Sequence, residues 1–155
     1  MTLPMLFVTT MNFLPMYTVD DCHIIELDHH HSQRKGDISV VEENKEIPFE
    51  IKRFYYLYDI PGGVERGGHA HRQLYQFIVA VSGCFTVVLD DGKSRRSFTL
   101  NRPYMGLLVT PGMWRTLEDF SSGSVCMVLA SEYYDEKDYI RDHDSFLEYR
   151  NNAHD

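Results

Sequence analysis

The sequence predicts an all-β fold, one antiparallel barrel or sandwich closed by a short C-terminal helix. From Ile38 onward, short apolar runs rich in β-branched and aromatic residues recur, each bounded by Pro, Gly, Asp or Ser turn signals. Their spacing is even, which suits a sandwich or barrel. Only the tail from Asp135 shows a helical period.

In chain order, residues 1–19 carry no side-chain charge and read as an extension or first strand preceding a domain over 20–155. A membrane or export segment fits them poorly, because no basic stretch precedes the apolar residues and Pro4, Asn12 and Pro15 interrupt them. His29-His30-His31 reads as a solvated loop. Strands are expected in ISVVEE (38–43), IKRFYYLY (51–58), LYQFIVAVS (74–82), CFTVVLD (84–90), RSFTL (96–100), MGLLVT (105–110) and SVCMVLASE (124–132). Asp90-Asp91-Gly92 supplies a hairpin turn between two of them. The acidic, aromatic run 132–139 reads as a strand-to-helix cap and a possible subunit contact. Beyond Asp135, Tyr139, Ile140, Phe146 and Leu147 fall near a 3.6-residue period with acids at the front, which predicts a helix covering the barrel.

Composition narrows the function classes. At 155 residues the length is that of one domain, and 43% hydrophobic with 25% charged residues is ordinary for a globular chain rather than a disordered one. Fifteen Lys and Arg against twenty-three Asp and Glu give a net charge of −8, so the average surface repels a nucleic-acid backbone. A small anionic ligand needs only two or three local cations and stays compatible with that charge. Cys22, Cys84 and Cys126 are odd in number, widely spaced and free of any CxxC pair, the usage of reduced thiols in a cytoplasmic protein.

The chemistry concentrates in one stretch. Gly63, five residues, His69-Ala70-His71, four residues, Gln76, six residues and Gly83 reproduce the spacing of the first cupin motif, so the barrel expected is a single cupin of the RmlC-like jelly-roll type. On a strand, residues two apart share a face, so His69 and His71 project together while Ala70 faces away. Metal-binding cupins follow the pair with a carboxylate and take a third histidine from a second motif. Here those places hold Gln76 and Arg115. A neutral amide is a weak ligand and a guanidinium is a cation that only donates, so no metal is expected. Two imidazoles beside Lys52, Arg53, Arg66 and Arg115 suit proton transfer on a carbonyl substrate, with an arginine or a hydroxyl such as that of Tyr55 steadying the developing oxyanion; no cofactor is required.

From Val40 to Leu147 the chain resembles the WxcM-like sugar nucleotide 3,4-ketoisomerases. The resemblance rests on ordered blocks: 42–49 (EENKEIPF), 51–56 (IKRFYY), 66–71 (RGGHAH), 89–92 (LDDG), 129–136 (LASEYYDE) and 138–141 (DYIR). It implies a homodimeric enzyme acting on thymidine-diphospho-4-keto-6-deoxyglucose, with His69 and His71 as catalytic residues and Lys35, Arg53, Tyr55, Arg66 and Arg115 as substrate contacts. Family products have a gluco or a galacto configuration, and the residue after the motif tryptophan differs between them. Arg115, which stays protonated, favours the gluco product. Lys35 departs from the Arg or Tyr usual at its place, and Tyr75 from a frequent Glu. The resemblance also places the reaction upstream of an aminotransferase in deoxyaminosugar biosynthesis for a surface polysaccharide such as O-antigen. Two rival readings are a metal-dependent cupin enzyme and a non-catalytic sugar-nucleotide-binding cupin.

Overall fold

In β4 (Arg53–Leu57) the period-two pattern appears directly, with Phe54 and Tyr56 exposed and Arg53, Tyr55 and Leu57 half-buried. β6 (Gln76–Ser82) shows no such alternation: Gln76 to Ala80 are all buried because both faces of the strand are covered. Ile78 and Ala80 enter the main core with Leu89, Leu107 and Val128, while Phe77 and Val79 lie on the other side under Leu27, Ile47 and Phe49. Apart from Leu27, that covering layer comes from the 40–52 segment, into which the strand expected over 38–43 would have run. β3 (Gly36–Ser39) instead ends at Ser39, and the chain continues irregularly across the sheet. Burial of its aromatic and aliphatic side chains outweighs the local strand propensity of Val40 and Val41.

The computed structural model describes residues 16–153. Two five-stranded antiparallel sheets face each other. One has the order β1 (His23–Glu26), β9 (Met105–Val109), β6, β11 (Val125–Ala130), β4; the other has β12 (Tyr139–Ile140), β5 (Arg66–His71), β10 (Trp114–Glu118), β7 (Phe85–Asp90), β8 (Arg95–Leu100). This is the cupin jelly roll, with a separate hairpin of β2 (His29–Ser32) and β3 outside both sheets. The reading of residues 1–19 as an extension or first strand lies, for residues 1–15, outside the described residues. Among the described residues no helix is long and apolar enough to cross a membrane.

Two expectations are corrected. His29-His30-His31 is a strand rather than a loop, although its side chains are exposed as expected. The tail does not become helical at Asp135: a single turn at Glu136–Asp138 leads into β12, and the helix α1 spans His143–Asn152 with Asp142 as its N-cap, the carboxylate accepting from the Ser145 N–H. Tyr139 and Ile140 are therefore paired in a ladder with His71 and Ala70. Available ladder groups at the β5 edge win over the helical period. Ala70, facing away from the histidines, packs with Ile140 and Phe146 beneath α1.

Candidate active site

β5 and β10 run antiparallel with Arg115 opposite His69, and the register shifts immediately beyond that pair. Gly67 and Gly68 have φ of +89° and +63°, conformations that side-chain-bearing residues rarely adopt, and a Cβ on Gly67 would stand 3.0 Å from the Arg115 carbonyl oxygen. The bulge turns β5 just before the histidines. At the other end of the motif Gly83 turns with φ +70°, where a Cβ would meet the Ser121 and Ser124 hydroxyls at 2.6 Å.

A cavity of about 590 Å³ opens between the two sheets. Its walls carry Arg53, Arg66, Arg115 and Arg141 against a single carboxylate, Glu65. In a chain of net charge −8, this excess of guanidinium marks the cavity as a place for an anion. Unused donors make the same point. Arg115 is 1% exposed and has no carboxylate partner; its Nε, and Nε with one terminal nitrogen of Arg53, are buried without an acceptor. Buried polar groups without partners are costly, and ligand oxygens would relieve that cost. Burial lowers the Arg115 pKa to about 10, which leaves it a cation at neutral pH.

His69 and His71 are brought together as expected, with ring centroids 4.9 Å apart and planes perpendicular. They differ in placement. His69 lines the cavity, whereas His71 is fully buried and does not. Burial first, then the Arg115 guanidinium, lowers the His69 pKa to about 4 and drives that of His71 lower still, so both rings are neutral near pH 7. Their tautomers follow from their partners. The His69 Nδ1 lies 3.2 Å from the Gly67 carbonyl oxygen, and the His71 Nδ1 lies 3.0 Å from an Asp138 carboxylate oxygen. Both partners only accept, so each Nδ1 carries the hydrogen and each Nε2 keeps a free lone pair. Asp138 is itself fixed by accepting from the Gln73 N–H at 2.8 Å. The Tyr139 ring completes the cluster at 4.3 Å from His71 and 5.0 Å from His69, with the Arg141 guanidinium stacked over it at 4.2 Å.

From the strand beside the histidines Arg115 reaches across to the opposing wall, donating to the Gln76 side-chain oxygen as well as to the Met113 carbonyl, and the Gln76 amide nitrogen donates to the Tyr55 hydroxyl at 2.8 Å. The Arg53 guanidinium lies over the Tyr55 ring at 5.3 Å. These contacts also decide the fit to a cupin metal. The only oxygen Gln76 could offer accepts from a guanidinium, and Arg115 would repel a divalent cation, so the residues do not fit one. Among the described residues no group of three or more His, Cys, Asp or Glu is placed to hold a metal.

Of the residues singled out from the sequence, His69, Arg53, Tyr55, Arg66 and Arg115 share this cavity, and His71 adjoins it. Lys35 is elsewhere, exposed at the tip of the β2–β3 hairpin. The WxcM-like, C-terminal (FdtA) family matches residues 20–151. The chain belongs to that family. A curated relative, the TDP-4-oxo-6-deoxy-alpha-D-glucose-3,4-oxoisomerase of Aneurinibacillus thermoaerophilus, is 50% identical over 115 residues, covering 74% of this chain and 83% of the relative. Among solved structures, a 3,4-ketoisomerase from Helicobacter canadensis is 44% identical with a TM-score of 0.82, covering 84% of this chain and 98% of its own. The WlaRB TDP-quinovose 3,4-ketoisomerase from Campylobacter jejuni is 43% identical with a TM-score of 0.79, covering 83% and 98%. The chain is thus a member of a family of sugar nucleotide 3,4-ketoisomerases.

Sequence reasoning did not single out Asp138, Tyr139 and Arg141 as site residues. They lie in the block 138–141 that carries part of the family resemblance, but the helical reading of the tail placed them on the wrong element, far from any reason to meet the histidines. Gln76 was read only as a failed metal ligand, since its partner Tyr55 lies on a different strand.

Proposed function

We propose that this ketoisomerase family member converts TDP-4-keto-6-deoxyglucose into the 3-keto isomer of gluco configuration, using the histidine pair and no metal. The observation that carries the reading is a neutral His69, its Nε2 lone pair free, in the wall of a cavity whose charge comes from four arginines. The arginines suit the diphosphate of a nucleotide sugar, and Arg53, Arg66, Tyr55 and Arg115 are the proposed contacts.

In the proposed reaction His69 accepts the proton from C3. The C3–H electron pair becomes a C3=C4 double bond, and the carbonyl π pair moves to O4, which takes a proton, giving an enediol. Loss of the O3 proton then returns a carbonyl at C3 as C4 is protonated. The C3–H and O3–H bonds are replaced by C4–H and O4–H, with no oxidant or reductant involved. His69 is assigned the base because it lines the cavity, and His71, whose Nδ1–H is held by Asp138, is proposed to act as acid only once its Nε2 lone pair has taken up the proton released in turnover. The Tyr55 hydroxyl and Arg115 stabilise the charge developing on oxygen. Arg115 stays protonated and cannot carry a proton to C4 as a histidine could, which is why the gluco product is proposed.

We further propose that the enzyme acts as a homodimer in the cytoplasm, in deoxyaminosugar biosynthesis for a surface polysaccharide. Phe54 and Tyr56 on β4, an edge strand, and Tyr58 just beyond it form an exposed aromatic row. Lys35 makes no contact with its own chain's cavity, so a substrate role for it requires a second copy. A monomer mass by sedimentation would overturn both statements. For the reaction, incubation with TDP-4-keto-6-deoxyglucose and resolution of the sugar by proton NMR should show a 3-keto product with an axial H4. An equatorial H4 overturns the gluco assignment, and unchanged substrate overturns the reaction.

A further inference from the structure

We infer that Gln76 is a positioning residue whose amide fixes the direction of the Tyr55 O–H, turning it into the cavity as a hydrogen-bond donor toward the reacting oxygens. This deepens the ketoisomerase reading and rests on it for the identity of those oxygens.

The chain of constraints starts at Arg115. A guanidinium can only donate, so the Gln76 atom facing it must be the carbonyl oxygen, and the amide has one orientation. Its NH2 therefore faces Tyr55, 2.8 Å from the phenolic oxygen. That oxygen accepts, and its own hydrogen must leave in another direction. Among the described residues the hydroxyl has no other hydrogen-bond partner, and Tyr55 lines the cavity with His69. The free O–H is left for a ligand. Burial raises the Tyr55 pKa, so the hydroxyl is intact at neutral pH.

This gives a physical reason for an amide where the cupin motif has a carboxylate. A glutamate at this place would accept from Arg115 equally well, but it would also accept from Tyr55, reversing that hydrogen bond and withdrawing the only hydrogen the phenol can offer. Gln76 is 2% exposed, so water cannot substitute for either partner.

The test is Gln76→Glu, an isosteric change that keeps Arg115 partnered, compared with Tyr55→Phe and with the double variant. Each is assayed with TDP-4-keto-6-deoxyglucose, and Tyr55 is followed by its 13Cζ resonance in protein labelled at tyrosine. We expect Gln76→Glu to lower kcat about a hundredfold, as for loss of one oxyanion donor, with KM changed less than about threefold. Tyr55→Phe should match it, the double variant should fall no further, and the Tyr55 resonance should move downfield in Gln76→Glu as the phenol becomes a donor to the carboxylate. A Gln76→Glu enzyme within about twofold of wild-type kcat, losses that multiply in the double variant, or an unmoved resonance would overturn the inference. If Gln76→Glu does not fold, the wild-type Gln76 side-chain amide still decides: an NH2 proton resonance that does not move in Tyr55→Phe, which removes its acceptor, contradicts the inference. Wild-type enzyme inert toward the ketosugar would overturn the ketoisomerase reading instead, and the resonance would still report on Gln76.

Discussion

Five of the eight histidines of this chain lie on two short strands, His29-His30-His31 on β2 and His69-Ala70-His71 on β5. The first group is exposed, held only by stacking of His29 on Tyr104 at 4.2 Å and by a His31–Asp37 contact. In the second, His71 is fully buried and His69 half-buried, each Nδ1 committed to an acceptor and each Nε2 left free. Residue type and local strand geometry are shared, so the difference in chemistry comes from what surrounds the rings. Burial and the Arg115 cation strip His69 and His71 of their protons, and fixed acceptors choose their tautomers. The β2 rings lie exposed, outside the cavity and away from its arginines.

The largest expected effect lies in the β5 pair. His69→Asn and His71→Asn should fold and bind TDP yet lose at least about two decades of kcat. Retained activity in both would remove the pair from the mechanism. Asp138→Asn should follow with a loss of about tenfold, since an amide can present its NH2 to His71 and favour the other tautomer. A kcat equal to wild type in Asp138→Asn would mean that the carboxylate does not set the tautomer.

Acid stability sharpens the comparison further. The unfolded chain binds protons at these histidines near pH 6.5, whereas the folded chain holds His69 neutral down to about pH 4 and His71 lower. Between those values the unfolded state binds more protons, so the stability associated with the neutral pair is present above about pH 6.5 and falls as the pH drops. The urea midpoint of the wild type should therefore decline more between neutral and mildly acid pH than that of the His69→Asn/His71→Asn double variant. Equal declines would mean the pair is not held neutral. The smallest effect is expected on β2: His29→Ala, His30→Ala and His31→Ala together should leave kcat within about twofold of wild type, as for surface positions away from the site. A larger loss would tie the hairpin to catalysis.

How much of this was legible in the sequence follows from the range of each interaction. The strand runs, the shared face of His69 and His71 and the missing metal ligands are local patterns of spacing and residue type, and the sequence shows them. The cover formed by Ile47 and Phe49, and the strand at Tyr139-Ile140, depend on what lies across space. The first follows from an unfilled outer face on β6, the second from an open ladder edge on β5. Asp138 became visible as a partner of His71 only once that pairing placed the two side by side. The polarity of the Arg115, Gln76 and Tyr55 chain joins three strands and leaves no trace in spacing.

The most direct test of the central claim, that the β5 pair moves protons on a ketosugar, is isotope exchange in deuterated water with TDP-4-keto-6-deoxyglucose. The wild type should place solvent deuterium at C4 of the product, and His69→Asn should bind the same ligand without doing so. Binding without deuterium at C3 or C4 in the wild type would contradict the account and leave the barrel a sugar-nucleotide receptor.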